Sequence, residues 1–335
     1  MREPIPVTIV GGYLGAGKTT LVNHLLRQRD GRRIAVLVND FGELAIDAEL
    51  IEAREGDLLR LAGGCVCCSF GSDLMAALLQ MRDMQPAPQH ILIETSGVAL
   101  PGAVARTLTL VDGLLLDAVL VLADARTVRS LADDRYVGDV VRAQLQQADL
   151  VVINKADLVD PPQLALLQAW LAERPTSARV PVLICTQAEL DIDVVLGLSL
   201  GDQDSTSASP AALSTESGLI RAAPVASALF DSFSQQLTRA VNIPALAAAL
   251  VSPELGVLRA KALLRDAQAP QGQGTLLQLV GNRVDISAWP QLAGCGQLVA
   301  IGLRGRLDHD GLRAALVAAQ SAREGDCPTA ARPGF

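Results

Sequence analysis

Aromatic side chains are scarce in this chain, at 3% of 335 residues, and histidine occurs three times, at His24, His90 and His309. A basic excess is also lacking, because 36 acidic residues outnumber 28 lysines and arginines and give a formal net charge of −8. This balance excludes the electropositive surface with which proteins bind nucleic acids and anionic lipids. With so few imidazoles, a site for a soft metal ion has to rely on sulfur.

Long hydrophobic runs are also missing, since no apolar segment reaches the roughly 18 residues of a membrane-spanning helix. The longest approach, DGLLLDAVLVLADA, is interrupted by Asp112, Asp117 and Asp124. The amino terminus, MREPIPVTIV, shows no signal sequence. We therefore expect a cytoplasmic protein with no membrane partner and no nucleic-acid partner, in which the six cysteines are reduced thiols.

Short β-rich apolar runs alternate with helical patterns in the first half of the chain. Candidate strands cover residues 6–10, 33–39, 90–94, 116–124, 150–154 and 180–186, and candidate helices cover 18–29, 72–84 and 161–172. Alternation of this kind predicts an α/β fold with a mostly parallel sheet that is covered by helices on both faces.

A stretch rich in Ser, Asp, Pro and Gly, residues 199–224, interrupts this alternation and offers little to bury. We therefore predict a first domain over 1–198, a flexible linker over 199–224, a smaller C-terminal α+β domain over 225–322 and a tail over 323–335. Within the smaller domain the pattern predicts a helix at 235–250, strands at 256–264, 275–281 and 297–305, and a helix at 308–320.

A glycine-rich turn follows the first strand, where GYLGAGKT at 12–19 matches G-x-x-x-x-G-K-[ST] between a strand and a helix. In such a loop backbone N–H groups surround the phosphates, the lysine supplies positive charge and the hydroxyl binds Mg²⁺. The pattern predicts a P-loop NTPase domain. Its predicted nucleotide-binding residues here are Gly11, Gly12, Gly15, Ala16, Gly17, Lys18, Thr19 and Thr20.

The tetrapeptide Asn154-Lys155-Ala156-Asp157 follows a later strand and favours guanine over adenine. The Asp157 carboxylate can accept hydrogen bonds from the N1–H and the exocyclic amine of guanine, whereas adenine offers no such donor pair. The Lys155 stem can lie along the base plane, and Asn154 is assigned to bracing the loops. These residues predict GTP as the bound nucleotide.

An acid and a glycine stand at the end of the strand in HILIETSG, residues 90–97, where open α/β sheets bind their ligands. Glu94 is expected to hold the Mg²⁺ shell or to orient the attacking water. The N–H of Gly97 is expected to contact the γ-phosphate and to shift when that group leaves. Together with Lys18 and Thr19, these two residues form the predicted catalytic set.

Three thiols fall within four residues, at Cys65, Cys67 and Cys68, directly after a glycine pair. Thiolates favour Zn²⁺, Co²⁺ or Cu(I) over Mg²⁺, so the cluster predicts a transition-metal site. Three sulfurs leave the fourth position of a tetrahedral shell open to water, to Glu43 or to a group on a partner. Two other interpretations stay open, namely buried cysteines without a metal and a redox pair.

Taken together, GYLGAGKTT, VNDFGE, GGCVCCS, ETSG and NKAD occur in the order typical of the CobW family of P-loop GTPases, relatives of UreG and HypB. The chain resembles that family over nearly its whole length. The resemblance implies a GTP-hydrolysing metallochaperone that delivers Zn²⁺ or Co²⁺ to a client metalloprotein, with Cys65, Cys67, Cys68 and Glu43 at the metal. It departs from many relatives in having no histidine in residues 199–224.

The alternative function is a metal-sensing GTP switch that regulates a partner without transferring the ion. The sequence leaves open whether the protein forms a homo-oligomer.

Overall fold

A computed structural model describes residues 3–29, 31–39, 58–61, 72–173, 180–197, 229–237, 239–267, 273–289, 292 and 296–320. The chain divides into two units, one comprising residues 1–196 with 280–282 and the other comprising residues 197–279 with 283–335. The predicted linker at 199–224 and the predicted tail at 323–335 lie outside the described residues. The predicted domain boundaries therefore stay predictions.

The first unit is built on a seven-stranded sheet in the order β3-β2-β4-β1-β5-β6-β7. Its strands are β1 Ile5–Gly12, β2 Ile34–Asn39, β3 Leu58–Leu61, β4 His90–Glu94, β5 Leu114–Asp124, β6 Leu150–Asn154 and β7 Val182–Ile184. Every neighbouring pair runs parallel. The predicted α/β fold with a parallel sheet is confirmed.

Helices connect these strands. They are α1 Lys18–Arg27, α2 Ser72–Arg82, α3 Pro101–Leu108, α4 Val128–Ala132, α5 Gly138–Gln146, α6 Pro161–Ala172 and α7 Ile192–Leu196. The start of α6 shows how the local sequence sets a boundary. Asp160 accepts a hydrogen bond from the Gln163 backbone N–H at 2.7 Å, and the Gln163 side chain accepts one from the Asp160 N–H at 3.3 Å. This capping box satisfies two backbone donors at a helix start, with proline at the first helical position.

The core of the first unit lies along the sheet, since every residue of β4 and of β6 is buried. Strands buried over their whole length are typical of a parallel sheet with helices on both faces. Strand β1 lies between β4 and β5. From β1 the chain continues to β2 on one side of the sheet centre, and from β4 it continues to β5 on the other side, so the loop after β1 lies at the point where the strand order reverses. Ligands of open α/β sheets bind in such a crevice, beyond the carboxyl ends of the strands.

The second unit carries a five-stranded sheet in the order β11-β10-β9-β12-β8, in which β12 runs antiparallel to β8 and β9. Its elements are β8 Phe230–Gln236, α8 Ile243–Leu250, β9 Val257–Leu264, β10 Gly274–Val280, β11 Arg283–Trp289, β12 Gly296–Leu303 and α9 His309–Ala319. Leu246 of α8 and Leu312 of α9 belong to one buried cluster with Leu264 and Leu298 of the sheet. The predicted α+β character is confirmed.

Two details of the second unit differ from the sequence prediction. The helix predicted at 235–250 begins only at Ile243, because Asn242 caps it by accepting a hydrogen bond from the Ala245 N–H at 3.0 Å. Residues 235 and 236 end β8 instead, and neither β8 nor β11 was predicted. Among the described residues, each helix is too short or too polar to traverse a lipid bilayer.

Candidate functional site

The P-loop, residues 11–20, joins β1 to α1 at the carboxyl edge of the parallel sheet. Gly17 precedes the first residue of α1 and has φ of 103°, in the left-handed region. A Cβ at this position would lie 2.4 Å from Asn154 Nδ2, so the site accepts only glycine. Because Gly17 has no side chain to cap the helix, the first-turn N–H groups of α1 are directed at the loop, which suits an anion.

A cavity of about 930 Å³ opens beside this loop, a size typical of small-molecule sites. Predicted site residues that line it are Gly15, Gly17, Lys18, Thr19, Thr20, Glu94, Gly97, Asn154, Lys155 and Asp157. Gly11, Gly12 and Ala16 lie in β1 and the loop without lining the cavity. The structure thus brings together residues that the sequence assigns to the phosphates, to Mg²⁺ and to the base.

The phosphate end of the cavity carries a buried cation. Lys18 is 8% exposed, and its Nζ donates a hydrogen bond to the carbonyl oxygen of Tyr13 at 3.4 Å. This contact bends the ammonium group back over the P-loop. In a protein with a net charge of −8, a local positive charge of this kind is what a triphosphate needs.

Thr19 and Glu94 meet at the wall of the cavity. The Thr19 hydroxyl donates a hydrogen bond to Glu94 Oε1 at 2.7 Å. Glu94 is the last residue of β4, is 4% exposed and lies opposite Val10 of β1. A hydroxyl and a carboxylate are hard oxygen donors, the ligands that Mg²⁺ prefers, so this pair fits a magnesium ion bound to phosphates.

The segment after β4, residues 95–100, forms what we call the sensor loop, and it contacts the P-loop closely. A Cβ at Gly97 would lie 2.5 Å from Leu14 Cδ2 and 2.8 Å from the Leu14 backbone nitrogen. The N–H of Thr95 donates to the carbonyl of Val10 at 3.0 Å, which extends the β4–β1 pairing into this loop. A side chain at residue 97 would push the two loops apart.

Asn154 braces the loops at the opposite end of the cavity. Its Nδ2 donates to the carbonyl of Ala16 in the P-loop at 2.9 Å, and its Oδ1 accepts from the N–H of Ala188 at 2.8 Å. Since the side chain is fully enclosed, at 2% exposed, both bonds are protected from competition with water. One amide thus joins the P-loop to the loop that follows β7.

Lys155 makes a second connection, which sequence reasoning missed. Its Nζ donates to the carbonyl of Gly15 at 2.7 Å and to Asp124 Oδ2 at 2.8 Å. Arg126 donates to the same carboxylate from its backbone and from its guanidinium group. Burial raises the pKa of Asp124, but the hydrogen bonds from Arg126 and Lys155 outweigh it and lower the pKa to about 2.

Asp124 could have been found from its place at the end of a strand. It is the last residue of β5 and pairs in register with Asn154 at the end of β6. Strands β4, β5 and β6 therefore each end in a polar residue at the site, namely Glu94, Asp124 and Asn154. Asp157, the predicted guanine ligand, is exposed at the cavity wall.

Backbone strain is concentrated at the base end of the cavity. Among the described residues, the non-glycine positions with positive φ are Lys155 at 61°, Gln187 at 52° and Ala188 at 56°. Such conformations cost free energy and persist where the surrounding contacts enforce them, commonly at binding sites. Gln187 also lines the cavity.

Cys185, which precedes these strained residues, is a buried thiol. Burial raises its pKa to about 12, so it stays protonated near neutral pH. Its Sγ donates to Asn154 Oδ1 at 3.5 Å. A protonated, enclosed thiol does not suit a metal ion, which binds the thiolate.

The predicted metal ligands Cys65, Cys67, Cys68 and Glu43 lie outside the described residues, and no group of three or more His, Cys, Asp or Glu that could hold a metal is found among the residues that are described. The neighbouring strands nevertheless show where these segments start. Leu61, the last residue of β3, pairs with Asn39 of β2, whose neighbour Val38 pairs with Glu94.

Two strand spacings amount to about 10 Å, and four extended residues reach about 14 Å. The four residues that follow Leu61, up to Cys65, are therefore long enough to reach from the end of β3 to the end of β4, where Glu94 lies. The segment that holds Glu43 starts at this edge as well, because it follows β2.

Comparison with known proteins finds a family and several relatives for this chain. The sequence matches the family model "CobW/HypB/UreG, nucleotide-binding domain" over residues 6–181. A zinc chaperone CobW from Sinorhizobium sp is 30% identical over 351 aligned residues, which cover 94% of this chain and 97% of that protein. The zinc chaperone YjiA of Escherichia coli (strain K12) is 34% identical over 203 residues, which cover 58% of this chain and 61% of that one.

A similarity in structure accompanies these matches in sequence. The Zn(II)-bound YjiA GTPase from E. coli aligns with 96% of this chain and 100% of its own, at 23% identity and a TM-score of 0.44. The family model spans more than half of this chain and includes the P-loop, Glu94 and residues 154–157. This protein belongs to the CobW/HypB/UreG family.

Proposed function

We propose that this protein binds and hydrolyses GTP and uses the nucleotide cycle to bind a transition-metal ion, Zn²⁺ or Co²⁺, and to deliver it to a client metalloprotein. The observation that carries the nucleotide part is the 2.7 Å contact between Thr19 and Glu94, in a cavity that Lys155 and Asp157 line at its other end. One end of the cavity offers oxygen ligands for Mg²⁺, and the other offers a carboxylate for guanine.

Binding of the phosphates rests on the P-loop. The first-turn N–H groups of α1 and the ammonium group of Lys18 donate to the phosphate oxygens. Thr19 and Glu94 hold Mg²⁺, which neutralises phosphate charge and orients the γ-phosphate when it is bound. Asp157 accepts hydrogen bonds from the guanine edge, which gives GTP its advantage over ATP.

Hydrolysis depends on Glu94 and the sensor loop. The Glu94 carboxylate is enclosed at the end of β4, where it can orient water near the terminal phosphate. The Gly97 N–H donates to the γ-phosphate, and this contact is lost when phosphate leaves. Because Gly97 contacts Leu14, release of the sensor loop also changes the P-loop.

The metal part rests on the chain topology and on the zinc chaperones among the relatives. Segments that carry Glu43 and the three thiols leave the sheet after β2 and β3, beside the strand that ends in Glu94. A γ-phosphate bound beside Glu94 therefore lies next to the strand ends from which these segments start. Its binding orders the segments and favours assembly of the thiolate shell. Such coupling is reciprocal and amounts to about 1–3 kcal/mol in typical cases.

Calorimetric titration with GTP and with ATP, in the presence of Mg²⁺, tests the nucleotide part together with an assay of phosphate release. We expect GTP to bind at least about a hundredfold more tightly than ATP, since a carboxylate that loses its donors is left desolvated and unpaired. Equal affinity for the two nucleotides, or GTP binding without phosphate release, would contradict the proposal.

Competitive titration with Zn²⁺ and Co²⁺, in the presence of Mg²⁺ and either a non-hydrolysable GTP analogue or GDP, tests the metal part. We expect tighter binding with the analogue, and we expect Cys67→Ala to weaken binding in both nucleotide states. Cys185→Ala is the matched control, because its buried thiol has a pKa of about 12. Equal metal affinity in the two nucleotide states would contradict the coupling.

Delivery is tested by following the bound ion into an apo client after GTP is added. Transfer that requires hydrolysis supports the metallochaperone. An ion that stays on the protein while the activity of a bound partner changes supports the metal-sensing switch instead.

A further inference from the structure

A buried glutamine on α5 holds the sensor loop from outside the nucleotide cavity. Gln144 is 1% exposed, and its Nε2 donates to the carbonyl of Gly97 at 3.0 Å and to the carbonyl of Ala99 at 2.8 Å. The acceptors are 47 and 45 residues away along the chain. An enclosed amide that donates twice to a single loop fixes the path of that loop, because no water can replace these bonds.

The contact also sets the direction of a backbone amide at the cavity wall. The C=O and N–H groups of a trans peptide point in opposite directions. Since Gln144 holds the carbonyl of Gly97, it turns the N–H of Val98 away from α5, where this N–H lies 3.5 Å from Ser96 Oγ. Ser96, Gly97 and Val98 all line the cavity, whereas Gln144 does not.

A second glutamine on the same side of the fold has a different role. Gln147 follows α5, and its Oε1 accepts a hydrogen bond from the N–H of Gly102 at 2.8 Å. Gly102 lies in the first turn of α3, where backbone donors have no partner within the helix. Gln147 therefore supports the start of α3, whereas Gln144 supports the loop that precedes it.

We propose that Gln144 is the positioning residue of the sensor loop and that it sets the ratio of the affinities of this protein for GTP and GDP. This inference rests on the proposed function, in which the sensor loop contacts the γ-phosphate. GDP has no γ-phosphate and makes no contact with the Gly97 N–H, so its affinity depends on the loop less than the affinity for GTP does. Without the Gln144 amide the loop occupies several conformations, of which one binds the γ-phosphate. The affinity for GTP therefore falls by the fraction of the protein that is in that conformation.

The test compares Gln144→Met with Gln147→Met. Methionine has nearly the same length as glutamine but cannot donate or accept these bonds, and the two substitutions lie three residues apart. The quantities measured with Mg²⁺ are the dissociation constants for GDP and for a non-hydrolysable GTP analogue, the rate of phosphate release, and amide hydrogen exchange over residues 95–100.

We expect Gln144→Met to lower the affinity for the GTP analogue relative to GDP by about tenfold, to slow phosphate release and to speed exchange at Val98. Gln147→Met is expected to keep the wild-type affinity ratio and the wild-type exchange at Val98. Both variants are expected to have a lower melting temperature. A change in the ratio of the two nucleotide affinities that occurs only in Gln144→Met is therefore not caused by lower stability alone.

A wild-type affinity ratio and a wild-type rate of phosphate release in Gln144→Met would overturn the inference. Gln144→Glu is the second variant if the methionine variant does not fold, because it keeps the size of the side chain and replaces the donor with a carboxylate. The same loss of ratio is expected for it. Wild-type protein that binds GTP without releasing phosphate would instead contradict the proposed function, and the inference would fall with it.

Discussion

Lys155, at the base end of the cavity, and Asp124, the last residue of β5, form an ion pair of 2.8 Å. The same ammonium group donates to the carbonyl of Gly15 in the P-loop, and the carboxylate also binds Arg126. Two cations on one carboxylate explain why the pKa of Asp124 lies near 2 in spite of its burial. Lys155, whose stem is expected to lie along the base, is therefore held in place by Asp124 at the end of β5.

The first prediction concerns the pH dependence of this pair. The pKa of Asp124 is lowered from 3.8 to about 2, so the folded state favours the ionised form. The resulting stabilisation is complete above about pH 4 and is lost as the pH falls through about 2. We expect the difference in free energy of unfolding between wild type and Asp124→Asn to be constant from pH 7 to about pH 4 and to shrink at lower pH.

Urea denaturation at a series of pH values measures this difference. Asp139→Asn is the control, because its carboxylate is 97% exposed where it pairs with Arg142, and an exposed pair adds little stability. A difference for Asp124→Asn that stays unchanged down to pH 2 would show that the ion pair does not stabilise the fold.

Gly17→Ala is predicted to disrupt the cavity from within the P-loop. The new Cβ would lie 2.4 Å from Asn154 Nδ2 at a φ of 103°, so the Asn154 brace has to move. We expect a loss of about 1–3 kcal/mol in free energy of unfolding from backbone strain, a further loss from the displaced brace, and weaker binding of nucleotide.

Gly31→Ala separates these causes. Gly31 also has a positive φ, of 83°, but a Cβ there would meet no atom within 4 Å. It therefore shares the strain without the clash, and we expect it to bind GDP as tightly as wild type does. Equal losses of stability in the two variants, measured by urea denaturation, would argue against a role for the Asn154 brace.

Glu94→Gln is predicted to separate catalysis from binding. The amide oxygen of glutamine can still accept the hydrogen bond from Thr19, but it carries no charge with which to bind Mg²⁺ or polarise water. We expect phosphate release to slow by about 10²–10⁴-fold, whereas affinity for GDP, measured without Mg²⁺, changes by less than about threefold. Single-turnover assays measure the first quantity and calorimetry the second.

The control for this variant is Glu173→Gln, at the exposed end of α6. It should hydrolyse GTP at the wild-type rate. If Glu94→Gln does the same, the catalytic role of Glu94 is wrong and its contact with Thr19 is only structural.

Asp157→Asn is predicted to change the preferred base. The asparagine side chain can accept from the N1–H of a purine, but its amide opposes the exocyclic amine of guanine. Xanthine carries an oxygen at that position and suits the amide. We expect GDP affinity to fall by about 10–100-fold and affinity for xanthosine diphosphate to rise, as measured by competition with a fluorescent nucleotide.

Asp160→Asn is the matched control, because asparagine caps helices about as well as aspartate and α6 should keep its start. This variant is expected to keep the preference for guanine. Retention of that preference in Asp157→Asn would mean that other groups recognise the base.

Sequence patterns predicted the parts of the site that are local in the chain. Strands β4 and β6 were predicted at their observed bounds, and α1 begins at Lys18 as the P-loop pattern requires. The two strands have short apolar runs that end in a polar residue, and the helix follows the glycines of the P-loop. Because the strand ends could be located from the sequence, the placement of Glu94 and Asn154 at the cavity could be predicted as well.

Residues whose roles depend on distant partners were not predicted. Gln144 acts on a loop 47 residues earlier in the chain, and its helix GDVVRAQLQ was not predicted from the pattern of the sequence. Asp124 meets Lys155 only because β5 and β6 pair. In the second unit, β8 was not predicted, because its polar sequence FDSFSQQ has only two apolar residues, and the helix predicted at 235–250 overlaps its last two positions. The assignments of the thiols and Glu43 stay predictions.

The placement of Lys18 has a consequence for how an acidic protein admits a polyanion. A net charge of −8 repels GTP at long range, but added salt screens this field over about 10 Å at 0.1 M. Lys18 is enclosed by the protein, so its attraction for phosphate acts at short range, where mobile ions screen it poorly. Moderate ionic strength should therefore weaken the repulsion more than the attraction, and nucleotide uptake should tolerate cellular salt.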